Sequence, residues 1–421
     1  MLESIKWVFK IENLRKKIIA TLVLVLVYKI LATIPVPGVD TTGLTAMLAK
    51  DENSGLGFFS ALMWGWMKNF SIILMGLSPY INAMIILQLM WVIIPKLGDL
   101  QKEGEAGQKK ITRYTRFLTL PLAIAQSYGM IVLLNSLAGW TILDTTNTQV
   151  VFMAMAIIVT WTMFLMWLWE VMTESGIGNG ISIIITAWVL AATPQVIMWH
   201  INNENYSLFA WLILATLAII YVIVNFTEGT RRIPVIYTRT GREEKSYFPI
   251  RINQAGMVPI IFAVSLVTFP SILWHILGNS NGTAKTIWDF LTTWFSMSSP
   301  SWILIIVYFL LVLGFSFFYV SITFNTEQVA ESIQKRWGYI PGIRPWTETE
   351  EYFSKVSGHL NLFGGWFLAL IAVAPYIMWK IYGSSIDFII SGAWLIIIVS
   401  VILDLIRKIQ SEKQMQDYSK F

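Results

Sequence analysis

Hydrophobic positions along this chain gather into ten long runs, approximately 18–35, 70–95, 116–137, 149–172, 180–199, 207–226, 254–277, 302–321, 360–379 and 384–406, with polar stretches between them. A helix needs about 20 apolar residues to cross roughly 30 Å of hydrocarbon. The pattern therefore predicts an all-α polytopic membrane protein with ten transmembrane helices. Two of the runs are interrupted in the same way. The second carries Gly76, Pro79, Asn82 and Gln88 at membrane depth, where lipid offers no partner to a freed carbonyl or a side-chain amide. The seventh repeats its spacing: Gly76, Pro79, Ile81 and Ala83 match Gly256, Pro259, Ile261 and Ala263. Four shared positions can also arise by chance in so apolar a chain. Read as a true repeat, they predict two related halves whose broken helices face one another across a central path.

The polar stretches refine this picture. In 227–253 two extended arms flank Thr240-Gly241-Arg242, which predicts a β-hairpin. In 322–359 a helical part, Glu327 to Trp337, leads into a Pro- and Gly-rich segment with Arg344 at its tip. Residues 1–17 read as an amphipathic helix on the membrane surface, with no small-residue cleavage site. The run Gly55 to Lys68 is too short to span. It reads either as a Trp-rich interfacial helix or as a short helix folded back into the protein.

Composition agrees with a membrane protein: 56% of the 421 residues are hydrophobic and 13% are charged. With both termini inside, the inner segments hold 25 of the 30 Lys and Arg residues. The outer ones hold only Lys50, Lys68, Lys285 and Lys380, and Lys29 lies within the first span. That asymmetry predicts cytosolic termini. The loops 227–253 and 322–359 are longer than topology requires, which suggests that something cytosolic docks there.

No catalytic pattern emerges. There is no cysteine, and His200, His275 and His359 are scattered. No Walker lysine or Gly-x-Ser-x-Gly elbow occurs. Gly176-Ile-Gly-Asn-Gly180 has neither a preceding strand nor a following lysine, so it reads as a tight turn between helices. Acidic residues are nearly absent from the spans, which weighs against an ion-coupled carrier of inverted-repeat type. No metal or cofactor is expected. What remains is a pathway lined by apolar and weakly polar groups.

Seven stretches carry a resemblance: Ile34-Pro-Val-Pro-Gly-Val-Asp40, Ser78-Pro-Tyr-Ile-Asn-Ala83, Leu100-Gln-Lys-Glu-Gly-Glu105, Gly176-Ile-Gly-Asn-Gly-Ile-Ser182, Arg231-Arg-Ile-Pro234, Asn253-Gln-Ala-Gly256 and Tyr339-Ile-Pro-Gly-Ile-Arg-Pro345. In this order and spacing the chain resembles the SecY family of protein-conducting channels over nearly its whole length. The resemblance implies two inverted five-helix halves around a central pore, 18–200 and 207–406, with a cytosolic tail at 407–421. It implies a pore ring of Ile81, Ile85, Ile181, Ile185, Ile261 and Ile397, the last placed by counting back from Asp404. It places a plug at about 56–67, including Phe58, Phe59, Leu62, Met63, Trp64 and Gly65, and a lateral gate between the second and seventh helices with Gln126 and Asn253. Gln88 is added to the gate from its own position.

The same resemblance implies cytosolic docking through Arg231, Arg232 and Arg344, the last matching the position on which motor engagement depends. The expected partners are SecE-like and SecG-like subunits, a SecA-like ATPase, the ribosome, secretory and membrane precursors bearing signal sequences, and the bilayer of a prokaryotic plasma membrane. Two departures stand out. Met63-Trp-Gly-Trp-Met-Lys68 replaces the family's small plug residues, and Trp346 stands where the family prefers glycine.

Overall fold

The computed structural model describes residues 12–39, 70–138, 143–144, 147–176, 178–187, 189–190, 206–239, 242–277, 301–382 and 392–418. Every one of the ten hydrophobic runs carries helix. By length and composition four described stretches suffice to cross a membrane: Thr148–Ser175, Ala210–Glu228, Trp302–Lys335 and Thr347–Met378. The chain divides into two compact units. One is Met1–Val196 with Ser265–Leu304 and Val401–Phe421; the other is Ile197–Val264 with Ile305–Ser400.

The first unit opens with α1, Glu12–Thr33. Residues 12–17, read in the sequence as part of a separate surface segment, are thus the first turns of this helix. Leu14 is buried against Ile18 and, from the chain's last helix, Leu405 and Ile409. Pro35 and Pro37, just past the end of α1, bar its continuation. Next come α2 (Ser78–Ile93), α3 (Pro95–Lys102), α4 (Glu105–Ala138) and α5 (Thr148–Ser175). Pro79 and Pro95 sit in the first turns of their helices, where the missing N–H has no partner to lose. Asn147 caps α5 by accepting from the Gln149 N–H at 3.1 Å.

A tight turn then leads into the helical stretch 180–187. Its glycines are required by space and by backbone. A Cβ at Gly176 would lie 2.4 Å from the Met172 carbonyl oxygen and 2.7 Å from Thr21 Oγ1, and Gly178 holds a φ of +101°. Gly176 is therefore held close against α1.

The second unit contains α6 (Tyr206–Glu228), the hairpin β1 (Thr230–Arg239) and β2 (Arg242–Arg251), and the start of α7 (Val258–Leu277). It continues with most of α8 (Trp302–Thr323), then α9 (Thr326–Lys335), β3 (Gly338–Tyr339), α10 (Thr347–Tyr382) and the start of α11 (Gly392–Tyr418). The hairpin register runs from Thr230↔Arg251 to Arg239↔Arg242, pairing the two extended arms along their whole length, while Thr240 and Gly241 lie outside the described residues. The two long polar loops fold together. β3 pairs with β1 through Ile236↔Tyr339, giving the order β2-β1-β3. Alternation puts Ile233 and Val235 on one face, and with Ile250 they pack on Ile333, Ile340, Phe353 and Val356. The sequence treats these loops as separate docking segments; they are one small core.

Candidate functional site

Two helix entries share one local design. In the first unit, residues 70–77 are buried and irregular. Ser71 bridges to Pro35, and its hydroxyl donates to the Leu31 carbonyl at 3.2 Å. Gly76 then takes a φ of +51°, and α2 begins two residues later with Pro79 in second place. In the second unit Gly256 takes a φ of +63°, and α7 begins two residues later with Pro259 in second place. Ile81 and Ile261 are accordingly the fourth residue of their helices, and Ala83 and Ala263 are both fully buried. The repeated spacing in the sequence is a repeated backbone device.

The six isoleucines fall in both units: Ile81, Ile85, Ile181 and Ile185 in the first, Ile261 and Ile397 in the second. Ile81, Ile85, Ile185 and Ile397 are buried, while Ile181 and Ile261 are half-buried. Ile81 and Ile85 lie one turn apart on α2, as do Ile181 and Ile185 in the stretch 180–187. The expected plug residues Phe58, Phe59, Leu62, Met63, Trp64 and Gly65 lie outside the described residues.

The three residues expected at the gate share a chemical feature. Oε1 of Gln88, both amide atoms of Gln126 and Nδ2 of Asn253 are buried and make no hydrogen bond among the described residues. A buried amide group left unpaired costs about 1–3 kcal/mol. Native chains nearly always give such a group a partner, from protein or from ordered water. The remaining amide atom of Asn253 acts locally. Its Oδ1 accepts from the Gly256 N–H at 2.9 Å, tying this residue to the entry of α7.

The arginines expected to dock cytosolic partners, Arg231, Arg232 and Arg344, are exposed. Arg231 and Arg232 stand on β1 opposite Ile250 and Pro249. Arg344 is held by its backbone rather than by its head group. Its N–H donates to Glu348 Oε2 at 3.2 Å, and its carbonyl accepts from Thr349 Oγ1 at 2.9 Å. The guanidinium comes only within 3.7 Å of Glu348 Oε1 and is 87% exposed. The segment Gly338 to Pro345 is bracketed by Trp337 and Trp346, both exposed and both left-handed, at φ +56° and +83°. Positive φ is costly for so bulky a side chain and is easy only for glycine.

One cluster escaped the sequence reading. The Arg116 guanidinium on α4 grips the Glu170 carboxylate on α5 with two bonds, Nε to Oε1 at 2.8 Å and Nη2 to Oε2. An acidic residue inside an apolar run was the available signal.

Four described stretches long and apolar enough to cross a membrane, two further apolar helices with matched broken entries, and a small sheet-bearing subdomain define a polytopic α-helical membrane protein. The SecY family profile matches residues 71–406. The Streptomyces galbus protein named protein translocase subunit SecY is 36% identical, over 100% of both chains. Its Corynebacterium glutamicum namesake is 35% identical over 97% of both. The chain belongs to the SecY family. Among solved structures, one of a SecY protein whose plug domain stabilises the closed channel is similar at a TM-score of 0.67, with 19% identity over 95% of this chain and 92% of that one. A canine Sec61 in a ribosome–channel complex is similar at 0.61, with 15% identity over the same shares.

Proposed function

We propose that this chain is a protein-conducting channel that passes unfolded secretory polypeptides across the membrane and releases transmembrane segments sideways into lipid. The observation that carries this reading is the matched pair of helix entries, which puts Ile81 and Ile261 at the same place in two broken helices. Ten spans in two inverted halves would let these side chains, with Ile85, Ile181, Ile185 and Ile397, meet as one apolar waist. An apolar constriction offers water and ions no compensating contacts and resists wetting. A passing extended chain displaces branched aliphatic side chains without breaking specific bonds, so the path tolerates many sequences.

A hydrophobic signal gains roughly 0.3–0.6 kcal/mol per Leu, Ile, Phe or Val on entering lipid. Over its length that suffices to part a gate lined by Gln88, Gln126 and Asn253, whose unpaired amides are then free to find partners. Residues 56–67 would act as the plug. The channel is passive: the sequence offers no nucleotide site, so a SecA-like ATPase or the ribosome supplies the drive through Arg231, Arg232 and Arg344. SecE-like and SecG-like subunits complete the assembly. The Lys and Arg distribution supports cytoplasmic termini, and the bacterial relatives support a prokaryotic plasma membrane as its location.

The test uses the absence of native cysteine. Single cysteines at 81 and at 261 should each crosslink to a secretory chain arrested in transit, and a cysteine at the exposed position 214 on α6 should not. Labelling at 214 but not at 81 or 261 would end the proposal.

A further inference from the structure

One turn of α5 touches the chain immediately before two of the ring isoleucines. The Trp169 ring meets Tyr80 edge-on, with centroids 5.2 Å apart and planes at 78°. Tyr80 is the residue before Ile81. On its backbone side, Trp169 reaches Gly180, the residue before Ile181, through a hydroxyl relay. Gly180 N–H donates to Thr173 Oγ1 at 3.0 Å, and that hydroxyl donates to the Trp169 carbonyl at 2.9 Å. No side chain fits between them, since a Cβ on Gly180 would lie 2.4 Å from the Trp169 carbonyl oxygen. The next residue, Glu170, is clamped to α4 by Arg116, which fixes α5 against its neighbour at this level.

We infer that Trp169 is a positioning residue for the seal: it sets where the two helices carrying Ile81, Ile85, Ile181 and Ile185 begin, and so how closely their side chains can pack in the closed channel. This rests on the ring reading proposed above. The indole N–H takes no part, because Nε1 of Trp169 is buried without a hydrogen-bond partner among the described residues. The side chain acts through its ring against Tyr80, and the relay to Gly180 uses the backbone carbonyl, so phenylalanine should serve.

The experiment measures resting ion conductance of the chain reconstituted with its native membrane partners. Variants are Trp169→Phe, Trp169→Ala, Ile158→Ala, Ile81→Gly and Ile181→Gly. Ile158 is fully buried on the same helix, about three turns away, and controls for general loosening. Trp169→Ala is expected to raise the leak about tenfold, the effect of a 1.4 kcal/mol shift in a closed–open equilibrium. Trp169→Phe should stay near the unmodified protein and Ile158→Ala close to it.

Equal leaks from Trp169→Ala and Ile158→Ala would reduce the role to ordinary packing and overturn the inference. So would a tight Trp169→Ala beside leaky Ile81→Gly and Ile181→Gly. If neither glycine variant leaks, the ring reading itself falls and takes the inference with it. Should Trp169→Ala fail to accumulate, Tyr80→Leu removes the same edge contact from the other side and is judged by the same outcomes.

Discussion

Gly76 and Gly256 hold the same left-handed backbone, two residues ahead of the helices that begin at Ser78 and Val258. Each donates its N–H three residues back. Gly76 bonds to the Ile73 carbonyl at 2.8 Å, whereas Gly256 bonds to the Asn253 side chain at 2.9 Å. The two turns are alike in backbone and unlike in chemistry. At Gly256 a Cβ would meet nothing within 4 Å, so the demand for glycine there comes from φ and not from crowding.

Alanine at Gly76 or at Gly256 should therefore destabilise by about 1–2 kcal/mol, the cost of left-handed backbone for an L-residue. The expected result is a lower thermal midpoint for each purified variant. Asparagine, which tolerates this region better, should fall between alanine and the unmodified chain. A Gly256→Ala variant melting with the parent would show that the turn can relax to negative φ.

Gly180 is a different case, set by crowding. Its added Cβ would lie 2.4 Å from the Trp169 carbonyl oxygen and 2.9 Å from Thr173 Oγ1. Backbone cannot swing aside as a flexible side chain can. Gly180→Ala should cost about 1–3 kcal/mol, typical of overpacking, and should reduce the amount of folded protein in the membrane. Gly314→Ala, where a Cβ would meet nothing within 4 Å, is the control and should accumulate normally.

Arg344 and Trp346 should separate the proposed docking role from stability. The Arg344–Glu348 pair is exposed and loosely made, so it contributes at most about 1 kcal/mol. Arg344→Glu should leave the melting temperature nearly unchanged while ATP-driven export falls about tenfold or more, as for a hot-spot contact. Trp346→Gly should do the reverse. It relieves left-handed strain at an exposed side chain, for a net gain of roughly 1 kcal/mol after the entropy that glycine adds to the unfolded chain. Melting curves beside transport assays on both variants would check the pair. Equal loss of stability and export in Arg344→Glu would refute the division.

The helices were legible because apolar runs of spanning length have few other uses. The hairpin was legible because Gly241 sits between two extended arms. The third strand was not: Gly338 and Tyr339 are too few to show a period of two, and their partners lie about 100 positions back on β1. Nothing local ties Arg116 to Glu170, 54 residues on. Trp169 was hidden differently, as one of 20 tryptophans in an apolar chain, with no feature to set it apart until Tyr80 was placed against it. The isoleucines became candidates through motif rather than pattern, since apolar spans supply many others. Gly76 and Gly256 share a backbone state as well as a spacing, which the sequence could not display.

Gln126 and Asn253 offer the sharpest test of gating. Both are buried, at 2% and 6% exposure, and both leave amide atoms without a partner among the described residues. An unpaired buried amide penalises the conformation that contains it by about 1–3 kcal/mol. Leucine is close in volume and removes that penalty, so Gln126→Leu should stabilise the described conformation against any state in which the amide finds a partner. A signal segment must then supply more transfer free energy to part the helices, at roughly 0.3–0.6 kcal/mol per apolar residue. Gln126→Leu should accordingly raise the signal hydrophobicity needed for export by a few leucine equivalents. Asn253→Leu should raise it less, because it also strips the Gly256 N–H of its acceptor and loosens the entry to α7. Export of a graded series of signals, each differing by one leucine, reads the threshold directly. An unchanged threshold in Gln126→Leu would remove that residue from the gate, and a lowered one would mean that its amide is paired in the resting channel.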